Sequence, residues 1–76
     1  MRYTHSHFFI HAARDAILSC DVTEWRSPHG WQISMESLRS VWRTYGTLYF
    51  NLALYQLVQQ GRVRILAVDR VFLTTR

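Results

Sequence analysis

The junction at Gly61 constrains the fold of this chain more than any other feature. In residues 48–60 the apolar positions recur every three or four residues, which predicts a helix with one buried stripe. They are Phe50, Ala53, Leu54, Leu57 and Val58. Glycine commonly follows the last residue of a helix. Beyond it, "RVRILAV" and "RVFLTT" flank a short turn around Val68 to Arg70 and predict a β-hairpin. A helix must therefore give way to antiparallel strands within a few residues of Gly61.

The N-terminal part of the chain predicts a first helix. Ser6 is suited to cap a helix from about His7 to Cys20. Its apolar residues form one stripe, made of Phe9, Ile10, Ala13, Ala16, Ile17 and Cys20. The following "DVTE" has capping-box spacing, so residues 21–25 are expected to extend or restart this helix.

The middle of the chain predicts a turn, a short strand and a second helix. "SPHG" is typical of a turn, and residues 30–34 suit a short extended segment. Ser34 can cap a helix from about Met35 to Thr44. Its apolar face consists of Met35, Leu38, Val41 and Trp42. Gly46 is expected to end this helix, and Thr47 to cap the third helix, residues 48–60.

Size and composition predict one small domain covering residues 1–76. Apolar residues make up 49% of the chain and aromatic residues 14%, which excludes a disordered tail. No apolar run approaches the roughly 20 residues of a membrane span, and the start lacks signal-peptide features. We therefore expect a cytoplasmic protein that binds no membrane. Cys20 is the single cysteine, so neither a disulfide nor a zinc ribbon can stabilise the fold.

The positive charge is concentrated in the second half of the sequence. Residues 1–36 carry three arginines and four acidic residues, a net −1, whereas residues 37–76 carry six arginines and one aspartate, a net +5. All nine basic residues are arginine, whose planar guanidinium suits phosphate and guanine edges. This distribution favours an anionic partner, nucleic acid first. Solubility is the alternative explanation for the same charge.

The order of these elements is helix, short strand, helix, tight turn, helix and hairpin. The segment "SMESLRSVWRTYGTLYFNLALYQLVQQGRVRI" resembles the core of the winged helix-turn-helix superfamily, and "ALYQLVQQGRV" is similar to the end of its recognition helix. The chain resembles small stand-alone regulators of bacterial and phage type. A weaker similarity links Asn51 and Tyr55 to backbone-contacting residues of Z-nucleic-acid-binding domains.

This resemblance implies an α+β winged helix-turn-helix fold, with three helices, a short strand and a C-terminal hairpin wing over residues 62–75. It implies a DNA-binding transcriptional regulator of nucleoid-associated location, without a cofactor, whose third helix enters the major groove of double-stranded DNA. Asn and Gln side chains can read adenine, while Arg, Thr and Tyr can hold phosphates. The predicted DNA-binding residues are Arg39, Arg43, Thr47, Tyr49, Asn51, Tyr55, Gln56, Arg62, Arg64 and Arg70.

The third helix also permits a different function, because the side predicted to point away from the core is uncharged. Leu52 and Tyr55 are residue types that occur often in protein interfaces. The alternative is a winged-helix module for protein–protein interaction, such as a phage or mobile-element protein that binds a host protein. A homodimer is a further partner, with Trp25 and Trp31 either in the dimer surface or covering the open end of the domain.

Metal binding and catalysis are not expected from this sequence. His7 and His11 have the i, i+4 spacing of a zinc site, but Cys20 lies nine residues further, about 180° around the helix. No phosphate-binding glycine loop, nucleophile elbow or carboxylate pair is present. We therefore expect no metal ligand, no catalytic residue and no enzymatic activity.

Overall fold

Across residues 2–75 the fold is α+β, with two helices and a three-stranded antiparallel sheet. A computed structural model describes residues 2–75, with side chains from His7 onward. The elements in chain order are α1 (Arg2–Leu18), β1 (Trp31–Gln32), α2 (Met35–Gln59), β2 (Val63–Ala67) and β3 (Arg70–Leu73). The sheet order is β1-β3-β2, so the last strand of the chain pairs with both others.

Helix α1 is displaced toward the N-terminus relative to its predicted bounds. It begins at Arg2, so the prediction that Ser6 caps it is wrong. The residues before Ser6 include neither glycine nor proline, and nothing in them stops the helix from extending. The predicted extension over residues 21–25 is also wrong. Val22 instead pairs with Ile33, and the Thr23 amide donates to the carbonyl of Gln32 at 3.0 Å.

The predicted turn and short strand between the helices are confirmed. Ser27 and Gly30 exchange backbone hydrogen bonds of 2.9 and 3.1 Å, and β1 follows directly. Gly30 has φ +118°, and a Cβ there would lie 2.2 Å from the carbonyl oxygen of Leu73. Only glycine allows the turn to approach β3 this closely.

Helix α2 corrects the prediction of three separate helices. Ser34 caps it as expected, accepting a 3.4 Å hydrogen bond from the Ser37 amide. The predicted boundary is a kink within one helix, where Gly46 alone is non-helical at φ 83° and ψ 166°. Glycine reaches this conformation without a Cβ penalty, so one residue redirects the helix and no loop is needed. We call residues 35–45 and 47–59 the first and second halves of α2.

The C-terminal end of α2 and the hairpin follow the prediction closely. Gly61 has φ +74°, and the amide of Arg62 donates back to the carbonyl of Leu57 at 2.9 Å. This arrangement closes the helix and turns the chain into β2. Strands β2 and β3 pair on either side of Val68 and Asp69, with a register shift between Ile65 and Ala67.

The core lies between the two helices and one face of the sheet. Its buried residues come from every element except β1: Ala13, Ile17, Cys20, Ile33, Leu38, Val41, Ala53, Leu57, Val63, Val71 and Leu73. Cys20 is 6% exposed, which confirms its interpretation as a small core residue. Val58, predicted to be buried with Leu57, is 39% exposed.

Candidate nucleic-acid interface

One side of the second half of α2 is covered by α1. The ring of Tyr49 stacks on Phe9 with centroids 5.5 Å apart. Gln56 accepts a 3.1 Å hydrogen bond from the guanidinium of Arg14. Tyr49 and Gln56 were both predicted to contact DNA. The structure places them against the neighbouring helix, where their polar or aromatic groups already have partners.

The opposite side of this half is exposed, and we call it the outer face. It consists of Leu48, Asn51, Leu52, Tyr55, Val58 and Gln59. Tyr55 is 60% exposed, and its hydroxyl accepts a 2.8 Å hydrogen bond from the Gln59 amide. Leu48 is 66% exposed. The outer face therefore combines amide and phenol groups with exposed aliphatic surface, and it carries no charge.

Thr47 has a role in the kink that the sequence did not indicate. Its hydroxyl accepts a 3.0 Å hydrogen bond from the indole N–H of Trp42. This bond joins the two halves of α2 across Gly46. Thr47 is exposed, so its hydroxyl can still reach a phosphate while it holds Trp42 in place.

Three of the predicted arginines are exposed on the segments that precede and follow the second half of α2. Arg39 and Arg43 are exposed on the first half of α2, and Arg62 is exposed just after the second half ends. Among the side chains described from residue 7 to residue 75, the hydrogen bonds and ring contacts involve none of these three guanidinium groups. All three are available for an anionic partner.

The two remaining predicted arginines point to the other face of the sheet. Arg64 pairs in register with Phe72, and its guanidinium lies 3.5 Å from Nδ1 of His29. The guanidinium of Arg70 lies 5.8 Å from the centre of the Phe72 ring. Alternate residues of a strand face opposite sides, so these groups lie away from Val71 and the helices. They surround Phe72, which is 1% exposed on that back face.

A groove with a volume of about 410 Å³ lies between the two halves of α2 and the hairpin. It is lined by Met35, Leu38, Arg39, Trp42, Phe50, Asn51, Leu54, Ile65, Val68 and Val71. Sequence reasoning identified Arg39 and Asn51 as site residues but missed the apolar walls. The alternation in β2 was the available signal, because a buried Val63 places Ile65 on the same side of the strand.

His11 and Cys20 lie in different surroundings. The ring of His11 contacts the guanidinium of Arg14, and Cys20 is buried in the core. No group of three metal-binding side chains occurs among the side chains that the structure describes. Burial, followed by the charge of Asp21, raises the pKa of the Cys20 thiol, which therefore stays protonated at neutral pH.

Comparison with protein-family models, curated proteins and solved structures gave no match to this chain. Across residues 2–75, neither helix has the length and apolar character needed to cross a membrane. The described surface has three features that bear on function: an uncharged outer face, three exposed arginines on the adjoining segments, and the groove along the edge of this face.

Proposed function

We propose that this protein is a DNA-binding regulator of the winged helix-turn-helix class. The first and second halves of α2 correspond to the second and third helices of that class, Gly46 to the turn, and the β2–β3 hairpin to the wing. The observation that carries the proposal is the exposed outer face together with three exposed arginines, Arg39, Arg43 and Arg62, whose guanidinium groups have no partner among the side chains described from residue 7 to residue 75. This arrangement supports groove contact by a neutral helix, with phosphate contacts at both of its ends.

The outer face supplies the groups that read bases. Asn51 can donate to and accept from the major-groove edge of adenine, and exposed Leu48 and Leu52 can contact thymine methyl groups. Tyr55 presents a phenol for a phosphate oxygen. Tyr49 and Gln56, which contact α1, position the helix rather than touch DNA. Arg64 and Arg70 lie on the back face of the sheet and are left out of the proposed contact set.

Salt-dependent binding to duplex DNA tests this function. Fluorescence anisotropy would follow a labelled duplex of about 20 base pairs at several salt concentrations between 50 and 200 mM. Three phosphate contacts give a log–log slope of about −2.7, so the affinity should fall roughly 40-fold over that range. Absence of salt-sensitive binding at micromolar protein would contradict the proposal.

A second function, protein–protein interaction, is favoured by one observation. Leu48, Leu52, Val58 and Tyr55 leave a contiguous apolar stretch exposed on the outer face. Exposed apolar patches of this kind mark interaction sites in soluble proteins. Sedimentation equilibrium of the wild type and of Leu52→Asp would test self-association through this face. A dimer that Leu52→Asp dissociates without unfolding would support this function and remove the outer face from the DNA groove.

A further inference from the structure

The groove beside the outer face has a firm apolar floor and a more open rim. Leu38 and Val71, which are 4% and 3% exposed, form the floor. Trp42 and Ile65, each 44% exposed, form walls on opposite sides. The indole of Trp42 is fixed by its hydrogen bond to Thr47. The floor of the groove is therefore formed by buried side chains, and the Trp42 wall is held by a hydrogen bond.

The polar groups of the groove are Arg39 and Asn51. Among the side chains described, residues 7–75, the guanidinium of Arg39 has no hydrogen-bond or ion-pair partner, and no acidic residue lines the groove. Asn51 adds an amide that can donate a hydrogen bond. A cation beside apolar walls is complementary to a molecule that carries one negative charge on an apolar body.

We propose that this groove binds a small carboxylate with an apolar body, of the size of an aromatic or medium-chain acid. The carboxylate pairs with the guanidinium of Arg39 and accepts from the Asn51 amide. The apolar body lies on Leu38 and Val71. The volume of about 410 Å³ lies in the range of small-molecule sites, roughly 300–1,000 Å³. A neutral apolar molecule would leave Arg39 without a partner, and free phosphate would leave the floor exposed to water.

This site would give the chain a ligand response without a separate ligand-binding domain. Asn51 lines the groove and also belongs to the outer face. A carboxylate held by Arg39 and Asn51 would occupy two of the groups that the proposed function assigns to DNA. Ligand and duplex would then compete.

Titration with 1-naphthoate, followed by NMR on the ¹⁵N-labelled full chain, tests the site directly. The matched neutral probe is 1-naphthalenemethanol, which keeps the ring system and lacks the carboxylate. Saturable shifts should appear at the indole N–H of Trp42 and at amides around the groove. The carboxylate should bind about tenfold more tightly than the alcohol, as expected for one charge-assisted contact.

Arg39→Gln is the decisive variant, and Arg26→Gln is its matched control. Arg39 is exposed, so its substitution should leave the amide spectrum of the folded protein intact. It should weaken 1-naphthoate binding about tenfold and leave 1-naphthalenemethanol unchanged. Arg26 stacks near Trp31, outside the groove, so Arg26→Gln should change neither affinity.

Three results would overturn this inference: no saturable shift at millimolar 1-naphthoate, equal affinity for the two probes, or equal loss in Arg39→Gln and Arg26→Gln. The measurement contains no DNA. Its failure would leave the proposed DNA binding untouched, and failure of DNA binding would leave the carboxylate site in place.

Discussion

The two sides of the second half of α2 carry the same residue types, but one side packs against α1 and the other is exposed to solvent. Each side has a tyrosine and an amide. Tyr49 and Gln56 contact α1, whereas Tyr55 and Asn51 are exposed. Residue type alone would assign all four to DNA. The comparison teaches that packing against α1 decides which of two chemically similar groups remains free to bind.

The largest expected effect is a difference in stability between variants of two leucines of this helix, one buried and one exposed. Leu57 is fully buried, whereas Leu52 is 39% exposed. We expect Leu57→Ala to lower the free energy of unfolding by about 2–5 kcal/mol, because it leaves a cavity in the core. Leu52→Ala should cost no more than about 0.5 kcal/mol. Urea denaturation measures both, and similar losses would show that the outer face is not a free surface.

The next largest effect is on the salt dependence of duplex binding, which should differ between the arginines of α2 and those on the back face of the sheet. Arg39→Gln combined with Arg43→Gln should make the salt slope of duplex binding less steep by about two, because two phosphate contacts are lost. The matched pair, Arg64→Gln with Arg70→Gln, removes the same charge from the back face. It should leave the slope nearly unchanged. If the second pair has the larger effect, the DNA lies across the back of the hairpin.

The smallest expected effect is the pH dependence of stability that arises from the buried thiol of Cys20. The pKa of Cys20 is raised in the folded protein, so the unfolded chain loses its thiol proton first as the pH increases. The contribution of Cys20 to stability is therefore complete below the usual thiol pKa of about 8.5 and declines above it. Urea denaturation from pH 7 to 10 should show a steeper loss for the wild type than for Cys20→Ala. Parallel curves would contradict the burial of this thiol.

Much of the fold follows from local sequence signals. Ser34 caps α2, Gly61 closes it, and the β-rich runs after Gly61 form the hairpin, as predicted. Each of these features depends on side chains within a few residues of one another. The sequence correctly locates an interruption at Gly46, but it predicts a tight turn between two separate helices where the structure has a kink. Whether one glycine redirects a helix or ends it depends on packing on both sides of the kink.

The candidate site was less predictable than the fold. The contact between Gln56 and Arg14 joins residues 42 positions apart, and no spacing rule reveals it. The position of Arg64 beside His29 depends on how the turn at Gly30 folds over the sheet. The groove requires three segments that meet only in the folded chain. Charge distribution identified the basic half, but it could not assign each arginine to a face.

The central claim is that the outer face of α2 reads DNA sequence. Selection of bound duplexes from a random pool, followed by sequencing, tests it with Asn51→Ala and Gln56→Ala. These variants truncate two amides on opposite sides of the same helix. Asn51→Ala should relax the preference at an adenine position, a loss of about 1–3 kcal/mol of discrimination. Gln56→Ala should keep the wild-type preference, because Gln56 is bonded to Arg14. An unchanged preference in Asn51→Ala, or a relaxed one in Gln56→Ala alone, would contradict the account.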